Sequence, residues 1–463
     1  MAESYLERED KFDVEPGFEL PALGAVDQRV TELRSERHEL RSQYFDTPDR
    51  ALLAAAMTLR RRTGTTDTGW QLKVPKEPAR EEIRVDSQDE SPPAELVALL
   101  AGVRRGQDLV PLATLEVTRL ATTLVDAQGQ VLAEVADDTV RSWTEPGQRT
   151  DWREVEVELG PAGDELLLAR VGKQLRRGGA SRSAGRSKLA RAVGEVAPVE
   201  DLLGAYLLEQ QRAMLSGDLA LRRSDAGAIH KTRVGIRRYR STLRTFLDRE
   251  AGRALDEELR WLAGVLGEIR DRQVMRPRLL ALVDQLPDPE VLGPVRARIE
   301  MELDREQAEA WRAAQQVLRS QRYAELLAAV DSFRLSLHPV PGKRLAKLMH
   351  RAERKVDKRL RRAGADPARL HRARKAAKRA RYAGELVAPS GLKAAAKQAA
   401  RNQALQDALG EHQDSLVTAE TLYRLGLVAG TTPTENGFTF GLLYEREREI
   451  AAGIRARLVR GTR

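Results

Sequence analysis

Short runs in which apolar and polar residues alternate dominate the first 195 residues. Such alternation indicates β-strands, because successive side chains of a strand point to opposite faces of its sheet. Turn-forming segments at 46–49 and 127–130 separate the runs, and Asp164–Leu175 has helical periodicity. Eight strands with one or two helices predict a closed or nearly closed antiparallel sheet. The predicted strands are Tyr5–Phe12, Ser42–Phe45, Met57–Arg62, Gly69–Val74, Arg80–Val85, Thr114–Val125, Val131–Trp143 and Trp152–Leu159.

Beyond about residue 200 the pattern changes to helical periodicity, with abundant Ala, Leu, Arg and Glu. Breaks rich in Pro, Gly or Thr at 286–289, 337–342 and 429–437 divide this region. The composition loosens from residue 178, and Ala197-Pro198 is the predicted domain boundary. The sequence therefore predicts an α+β protein, with an antiparallel barrel at 1–197 and an all-α region at 198–463.

Two segments of the helical region repeat one histidine followed by three basic residues. His230–Ser241 reads HKTRVGIRRYRS, and His371–Tyr382 reads HRARKAAKRARY. The basic residues follow each histidine at +3, +7 and +10, and at about 100° per residue the four positions span roughly 80° of one helix face. We call these faces the basic stripes. They consist of His230, Arg233, Arg237 and Arg240, and of His371, Arg374, Lys378 and Arg381.

A second echo follows each stripe, Leu266–Asp271 (LGEIRD) and Leu409–Asp414 (LGEHQD). His371 follows His230 by 141 residues, and Leu409 follows Leu266 by 143. A period of this length is too long for solenoid repeats and suits duplicated helical bundles. We therefore predict two related helical bundles at about 200–335 and 343–463.

The net charge of the chain changes sign near residue 200, close to the predicted domain boundary. Residues 1–200 contain 28 Lys and Arg against 36 Asp and Glu, whereas the remainder contains 50 against 33. A basic half indicates a polyanionic partner, such as nucleic acid, inorganic polyphosphate or a membrane surface. Aromatic residues make up only 4% of the chain, which is poor material for stacking on unpaired bases. An anion without bases is therefore favoured.

Other partners and compartments are restricted by what the chain lacks. It has no cysteine, which excludes disulfides, thiolate metal sites and a cysteine nucleophile. Its apolar runs are short and interrupted by charge, and its first ten residues do not resemble a secretory signal. We therefore expect a cytoplasmic protein.

Several predicted strands carry charges on one face. Glu7, Glu9 and Lys11 share a face, and so do Arg60 and Arg62. The same holds for Arg80, Glu82 and Arg84, for Glu134 and Asp138, and for Glu154, Glu156 and Glu158. Unpaired ions in a dry core cost several kcal/mol each, so a wet barrel interior is the better environment for these faces. Carboxylates on one wall would suit Mg²⁺, and bases on another would suit phosphates. The chemistry that fits is phosphoanhydride hydrolysis.

These residues resemble a known family. Glu7-Arg-Glu9-Asp-Lys11 is similar to the ExExK signature of the CYTH domain, the triphosphate tunnel metalloenzyme fold named for class IV adenylate cyclases and thiamine triphosphatases. Further similar blocks are Tyr44–Pro48, Thr58–Arg62, Trp70–Lys73 and Glu154–Glu158. Residues from about 200 to 463 resemble the CHAD domain, a histidine-bearing helical module. The resemblance implies a bacterial two-domain protein that acts on or binds inorganic triphosphate and long-chain polyphosphate.

The resemblance also implies roles for individual residues. Glu7 and Glu9 would be catalytic acids that position metal or phosphate, with Lys11 as a phosphate ligand. Mg²⁺ or Mn²⁺ would be held by Glu7, Glu9, Glu154 and Glu156. Triphosphate would lie on Arg60, Arg62, Lys73, Arg84 and Arg119, and polyphosphate on the two basic stripes.

Alternatives remain at this point. The protein could be a non-catalytic adaptor that binds polyphosphate granules, an adenylate cyclase or thiamine triphosphatase, or a nucleic-acid-binding protein. ExExK alone would suit an ion-pair ladder on an exposed strand, and a lone histidine is more often a core residue or a helix cap. A zinc site is excluded by spacing, because the histidines lack i, i+4 pairing and cysteine partners.

Overall fold

The computed structural model describes residues 3–64, 68–76, 79–144, 147–183, 187–194, 199–248, 250–364 and 366–460, without the side chains of 3–7 and 458–460. The chain forms two compact units, 1–197 and 198–463. The first is built on one antiparallel sheet and the second on helices, so the protein is α+β. Each unit is described by itself below.

Within the described residues the sheet of the first unit has ten strands, in the order β1-β6-β5-β4-β3-β7-β8-β9-β2-β10. The strands are β1 (Glu3–Glu7), β2 (Glu9–Asp13), β3 (Glu32–Asp46), β4 (Thr58–Gly64), β5 (Gly69–Lys76), β6 (Ala79–Val85), β7 (Val110–Val125), β8 (Val131–Thr144), β9 (Arg149–Leu159) and β10 (Ser181–Arg182).

The segment predicted as one strand, Tyr5–Phe12, closes the barrel. It is divided at Arg8 into β1, which pairs with β6, and β2, which pairs with β9. These two partners lie near opposite ends of the strand order, so one continuous segment joins both edges of the sheet. The prediction of a single strand was wrong here, because the alternation of charged residues continues across the break at Arg8.

Strand β3 is much longer than its predicted core, Ser42–Phe45. Its first half, ELRSERHEL, is mostly exposed and pairs with β7 along its whole length. Apolar residues are scarce in this half, so the pattern of buried and exposed positions that normally reveals a strand is missing. Backbone pairing with β7 defines the strand instead.

One longer helix and four short ones complete the described part of the first unit. Helix α4 packs Leu167, Val171 and Leu175 against the outer face of the barrel, where they meet Phe12 and Val155. Helix α5 was not predicted, because it lies in a segment whose Gly, Ser and Arg content suggested a linker. These helices are α1 (Ala51–Ala54), α2 (Ala94–Leu99), α3 (Ala101–Arg104), α4 (Glu165–Arg177) and α5 (Lys188–Val193).

The second unit consists of helices arranged as two related halves. The basic stripes lie on α7 and α12, and the LGEIRD and LGEHQD echoes lie on α8 and α13. The helices are α6 (Leu202–Arg222), α7 (Ala228–Phe246), α8 (Arg253–Asp284), α9 (Val295–Leu318), α10 (Gln321–Leu335), α11 (Gly342–Arg361), α12 (Pro367–Val387), α13 (Lys393–Thr431) and α14 (Phe438–Arg460).

The two halves share a core. Leu279 and Ile299 of the first half pack with Leu422, Phe440 and Leu443 of the second in one buried cluster. The predicted break at 337–342 separates α10 from α11, the one at 429–437 begins within the end of α13 and precedes α14, and 286–289 leads into a short 3₁₀ turn, Asp288–Glu290. None of the helices in the described part of the chain combines the length and hydrophobicity that a membrane span requires.

Candidate functional site

One wall of the barrel interior is basic. Cross-strand pairing aligns Tyr44, Arg60, Gln71 and Arg84 in one row, and Thr58, Lys73 and Glu82 in the next. Directly paired residues share a face of the sheet, and all of these side chains except Gln71 line the same narrow cavity. The predicted triphosphate ligands Arg60, Arg62, Lys73 and Arg84 are therefore brought together.

Glu82 lies in the middle of this basic wall. Its carboxylate accepts from Arg84 Nε at 2.6 Å and lies 3.2 Å from Lys73 Nζ, with an Arg60 nitrogen at 3.9 Å. Burial alone would raise the pKa of Glu82, but Lys73, Arg60 and Arg84 outweigh it and lower the pKa to about 2. The anionic carboxylate thus holds three cations close together.

Polar side chains orient the two arginines of β4. Arg60 donates to Gln71 Oε1 at 2.6 Å and to the Tyr44 hydroxyl at 3.2 Å, and Arg62 donates to Ser42 Oγ at 3.3 Å. Burial and the nearby Arg60 lower the pKa of Arg62 to about 10. Such a cost for the charged form indicates a site in which an anion would be stabilising.

The other wall is acidic. Asp138 of β8 pairs across the sheet with Glu154 of β9, and Glu156 lies two residues further along the same strand face. Their carboxylates offer oxygen atoms that all lie within 4.8 Å of one another. Three carboxylates at this spacing form a donor set of the kind that hard divalent cations bind.

Lys188 contacts all three of these carboxylates. Its Nζ lies 2.9 Å from Asp138 Oδ2, 2.7 Å from Glu154 Oε1 and 2.8 Å from Glu156 Oε1. Burial favours a neutral amine, but the carboxylates outweigh it and raise the pKa of Lys188. We call Asp138, Glu154, Glu156 and Lys188 the acid cluster.

Lys188 was not among the predicted site residues. It is the first residue of α5, whose N-cap Ser187 accepts a hydrogen bond from the Ala190 backbone at 3.1 Å. The apolar residues of α5 then pack beside Leu40 and Trp152 in a buried cluster. A serine ahead of KLARAV is a helix-start signal that could have revealed α5, although not the position of its lysine.

Lys11 and Arg119 connect the acid cluster to the rest of the interior. Lys11 Nζ lies 3.1 Å from Glu9 and donates to Glu156, while Arg119 makes two 2.8 Å hydrogen bonds to Asp138 and one of 3.0 Å to Glu156. Burial would lower the pKa of Lys11, but Glu156 and Glu9 raise it. Lys11 therefore stays protonated and is a poor proton donor.

These contacts hold Glu156 and Asp138 in their anionic form. Burial would raise the pKa of Glu156 and of Asp138, but Lys188 and the other cations lower both. Glu154 Oε1 is buried and lies 2.7 Å from Lys188 Nζ, and its other carboxylate oxygen accepts from Trp152 Nε1 at 2.6 Å. A divalent cation bound here would take the place of the Lys188 ammonium group as the partner of this oxygen.

Not every predicted metal ligand joins the cluster. The backbone of Glu7 pairs with Arg80, but the Glu7 side chain lies outside the described residues. Glu9 is directed to Lys11, and the third carboxylate beside Glu154 and Glu156 is that of Asp138. Lys11 and Glu156 are largely buried, with side-chain exposures of 18% and 13%, so they do not form a ladder on an exposed strand.

In the helical unit, the two basic stripes lie close enough to repel each other. Burial lowers the pKa of Arg374 on α12, and the positive charge of Arg237 on α7 lowers it further. Burial, then Arg374 and Arg237, lower the pKa of Lys378 to about 7. The Nε atoms of Arg233, Arg237 and Arg374 are buried without a hydrogen-bond partner among the described residues. The centre of the two stripes is thus a concentration of positive charge that the nearby Asp414 offsets only in part.

The ends of the stripes are better paired. Arg240 contacts Asp256 at 3.0 Å and Arg381 contacts Glu385 at 2.7 Å, while Arg233 reaches Asp271 at 3.1 Å. His371 Nδ1 lies 3.1 Å from Gln413 Oε1, and His230 is exposed near the start of α7. Neither histidine is a core residue or an N-cap, since Gly227 and Asp366 occupy the N-cap positions.

The LGEIRD and LGEHQD segments contact arginines of the two basic stripes. A Cβ atom on Gly267 would lie 3.3 Å from the Arg233 guanidinium, and one on Gly410 would lie 3.5 Å from that of Arg374. Arg233 also donates to the Gly267 carbonyl at 3.1 Å. The repeated Leu-Gly-Glu segments therefore leave room for one arginine of each stripe to lie against the neighbouring helix.

Comparison with known proteins identifies both units. Residues 6–193 match the CYTH domain model, and residues 205–423 match the CHAD domain model. Two uncharacterized proteins of Mycobacterium tuberculosis are each 34% identical to this chain over 498 aligned residues, covering 98% of it and 95% of their own length.

Solved structures are similar to each unit. PptA from Streptomyces chartreusis is 22% identical with a TM-score of 0.48, covering 57% of this chain and 99% of its own. The CHAD domain from the plant Ricinus communis is 25% identical with a TM-score of 0.46, covering 57% and 94%. HpAC1 from Hippeastrum, a putative adenylyl cyclase described as having a dominant triphosphatase activity, is 18% identical with a TM-score of 0.25, covering 42% and 99%.

Proposed function

The chain belongs to the proteins in which a CYTH domain is followed by a CHAD domain, and from this premise we propose that it hydrolyses inorganic triphosphate and binds inorganic polyphosphate. CYTH domains are metal-dependent and bind triphosphate substrates. Hydrolysis is assigned to the barrel, and polyphosphate binding to the basic stripes.

The strongest support for hydrolysis is the opposition of two walls inside one closed sheet. The basic wall presents Arg60, Arg62, Lys73 and Arg84, and the acid cluster presents three carboxylates. A substrate that is a chain of phosphates needs both, because its charge must be neutralised while one phosphoryl group is activated.

We assign the residues as follows. Asp138, Glu154 and Glu156 would hold Mg²⁺ or Mn²⁺, which when bound supplies positive charge at the reacting phosphoryl group and lowers the pKa of a water. The basic wall holds the remaining phosphates, and Glu82 keeps Lys73 and Arg84 in place. Lys11 lies between Glu9 and Glu156, where its charge can stabilise negative charge that develops on the phosphates.

The lining of the cavity favours an inorganic substrate over a nucleotide or thiamine triphosphate. Tyr44 is the single aromatic residue among the described residues that line the cavity. Its hydroxyl accepts from Arg60, and its ring belongs to a buried apolar cluster. A base or thiazolium ring would therefore have no free aromatic surface on which to stack.

The test of hydrolysis is phosphate release by the full chain from tripolyphosphate, ATP, thiamine triphosphate and long-chain polyphosphate, each with Mg²⁺, Mn²⁺ or chelator. We expect metal-dependent release that is fastest with tripolyphosphate. Glu156→Gln removes the carboxylate shared by Lys11, Lys188 and Arg119 and should reduce kcat at least about 100-fold. Its matched control is Asp151→Asn on the same strand, where Asp151 pairs with Arg149 at the surface.

Asp151→Asn should leave turnover unchanged. Equal rates for wild type and Glu156→Gln, or release that persists in chelator, would contradict the proposed hydrolysis. Faster release from thiamine triphosphate or ATP would replace inorganic triphosphate as the substrate while retaining the assignment of the walls.

Polyphosphate binding is supported by the unpaired charge at the centre of the stripes. A polymer of phosphates can contact Arg237, Arg374 and Lys378 together and relieve their mutual repulsion. Because counterions are released, the affinity should fall steeply with salt. Binding of fluorescent polyphosphate across a salt series tests this, and an affinity independent of ionic strength would overturn it.

A second candidate is a non-catalytic adaptor that binds polyphosphate granules. The observation that favours it is Lys188, whose ammonium group occupies the position between the three carboxylates where a cation would bind. An adaptor would show salt-sensitive polyphosphate binding with no metal-dependent phosphate release from any of the substrates above.

A further inference from the structure

The duplication predicts equivalent contacts between α7 and α12. Adding 141 to a residue number converts a position on α7 into its counterpart on α12, so Arg238 corresponds to Arg379 and Arg244 to Glu385. A contact between Arg238 and Glu385 should therefore recur as a contact between Arg379 and Arg244. Because Arg244 corresponds to Glu385, the first contact joins opposite charges and the second joins like charges.

The first of these contacts is an ion pair. Arg238 Nε donates to Glu385 Oε2 at 2.9 Å, and the Tyr206 hydroxyl lies 3.3 Å from the same oxygen. The Arg238 guanidinium also lies over the Tyr382 ring at 5.8 Å. Charge and packing are both satisfied in this half of the domain.

The second contact brings two cations together. Arg379 is half-buried and makes no hydrogen bond or ion pair with any residue that the structure describes. Burial lowers the pKa of Arg379, and Arg244 and Arg359 lower it further. The nearby carboxylate of Asp256 is already engaged by Arg240 at 3.0 Å and by Arg244 at 2.9 Å.

A cleft of about 980 Å³ opens at this second contact. The wall is basic at Arg244, Arg351 and Arg379 and apolar at Leu247 and Leu348, and it also carries the carboxylates of Glu250 and Asp256. Its volume is at the upper end of the range for small-molecule sites, far larger than an inorganic phosphate requires. Arg379 lies about 100° around α12 from Lys378, so the cleft is on a different face from the basic stripe.

We propose that this cleft, which we call the Arg379 cleft, binds a small organic phosphate. The phosphate group lies on Arg379, Arg244 and Arg351 and takes the role that the Glu385 carboxylate has in the other half. The uncharged body of the ligand covers Leu247 and Leu348. A mixed wall of this kind distinguishes the ligand from inorganic polyphosphate, which has no apolar surface to bury.

A set of probe molecules distinguishes a nucleotide from a lipid phosphate as the ligand of the cleft. Isothermal titration of the full chain would use adenosine monophosphate and guanosine monophosphate as nucleotides and lysophosphatidic acid as a lipid phosphate. Glucose 6-phosphate and inorganic tripolyphosphate carry phosphate without an apolar body. We expect a nucleotide or the lipid phosphate to bind, and the last two to bind at least tenfold more weakly at this site.

Variants connect binding to the cleft. Arg379→Met should weaken the organic phosphate about tenfold or more, because a charge-assisted contact is lost. Arg244→Glu provides a second test, since the new carboxylate can pair with Arg379 as Glu385 pairs with Arg238, and it should abolish binding in a folded protein. Arg372→Met removes an exposed arginine from the same helix and should leave binding unchanged.

Circular dichroism and the stripe-dependent binding of polyphosphate report whether each variant is folded. The proposal is overturned if none of the organic phosphates binds, or if those that bind lose no affinity in folded Arg244→Glu. It is also overturned if tripolyphosphate binds the cleft as tightly as the organic probes do, because the apolar wall then has no role in recognition.

Discussion

The barrel interior and the basic stripes both concentrate positive charge, but they differ in what accompanies it. In the barrel, Lys73 faces Glu82, and Lys188 faces three carboxylates. At the centre of the stripes, Arg237, Arg374 and Lys378 face one another instead. The first arrangement suits a small substrate that binds with a cation, and the second suits a polymer that brings only negative charge.

The difference also separates stability from binding. A buried cation paired with carboxylates stabilises the fold, because removal of either partner leaves an uncompensated charge. A cation held among other cations destabilises the free protein and is stabilised only when an anion arrives. Substitutions should therefore have opposite effects on stability in the two regions, and this can be measured.

The largest effect is expected for Lys188→Met, which leaves the three carboxylates of the acid cluster without their common partner. In chelator, the free energy of unfolding should fall by about 3 kcal/mol or more. Mn²⁺ should restore the stability, since a divalent cation can replace the ammonium group. Chemical denaturation with and without Mn²⁺ measures both, and a loss that Mn²⁺ does not reverse would contradict the metal assignment.

Glu82→Gln is the corresponding change on the basic wall. It leaves Lys73, Arg60 and Arg84 without a carboxylate, and the free energy of unfolding should fall by about 3 kcal/mol. Tripolyphosphate should recover part of this loss in the variant, because its oxygens can replace the missing carboxylate. Glu81→Gln on the same strand, where Glu81 pairs with Lys76, is the control and should have a smaller effect.

Arg237→Met should do the reverse in the helical domain. Loss of one repelling cation should leave the free protein as stable as wild type or more stable. Polyphosphate affinity should fall about tenfold at low salt, and the slope of log affinity against log salt should decrease by about 0.7. Lys231→Met, which removes an exposed charge from the same helix, should change neither stability nor slope to this extent.

The smallest effect is a dependence of polyphosphate binding on pH. Because the pKa of Lys378 is about 7, its positive charge is lost as the pH rises through that value. Affinity should therefore fall a few-fold between about pH 6 and about pH 8, and Lys378→Met should remove most of this change. The lowered pKa values of His230 and His371 place their own titration below their ordinary value of 6.5.

The same group has a consequence for stability. Its pKa is lower in the folded chain than its ordinary 10.5, so between about pH 7 and pH 10.5 the unfolded chain binds the proton more readily. This contribution makes the free protein more stable as the pH rises through that interval and is constant below it. A decrease in stability from this group on raising the pH would show that Lys378 is paired in the free protein.

Much of the barrel could be predicted from the sequence, because most of its strands alternate. The exceptions have physical reasons. The first half of β3 carries few apolar residues, and Arg8 divides one alternating run into two strands at opposite ends of the sheet order. Pairing with distant strands decides both features, and no local pattern records such pairing.

The stripes and the domain change were determined by the sequence itself, since helical spacing requires His230, Arg233, Arg237 and Arg240 to share a face. The charged strand faces were likewise local properties of the chain. Only the tertiary structure decided which charges meet. The pairing of β8 with β9 brings Asp138 beside Glu154, α5 carries Lys188 between them, and the packing of α7 on α12 leaves Arg379 facing Arg244. Electrostatic energies depend on distances of a few ångströms, and those distances are determined by the fold.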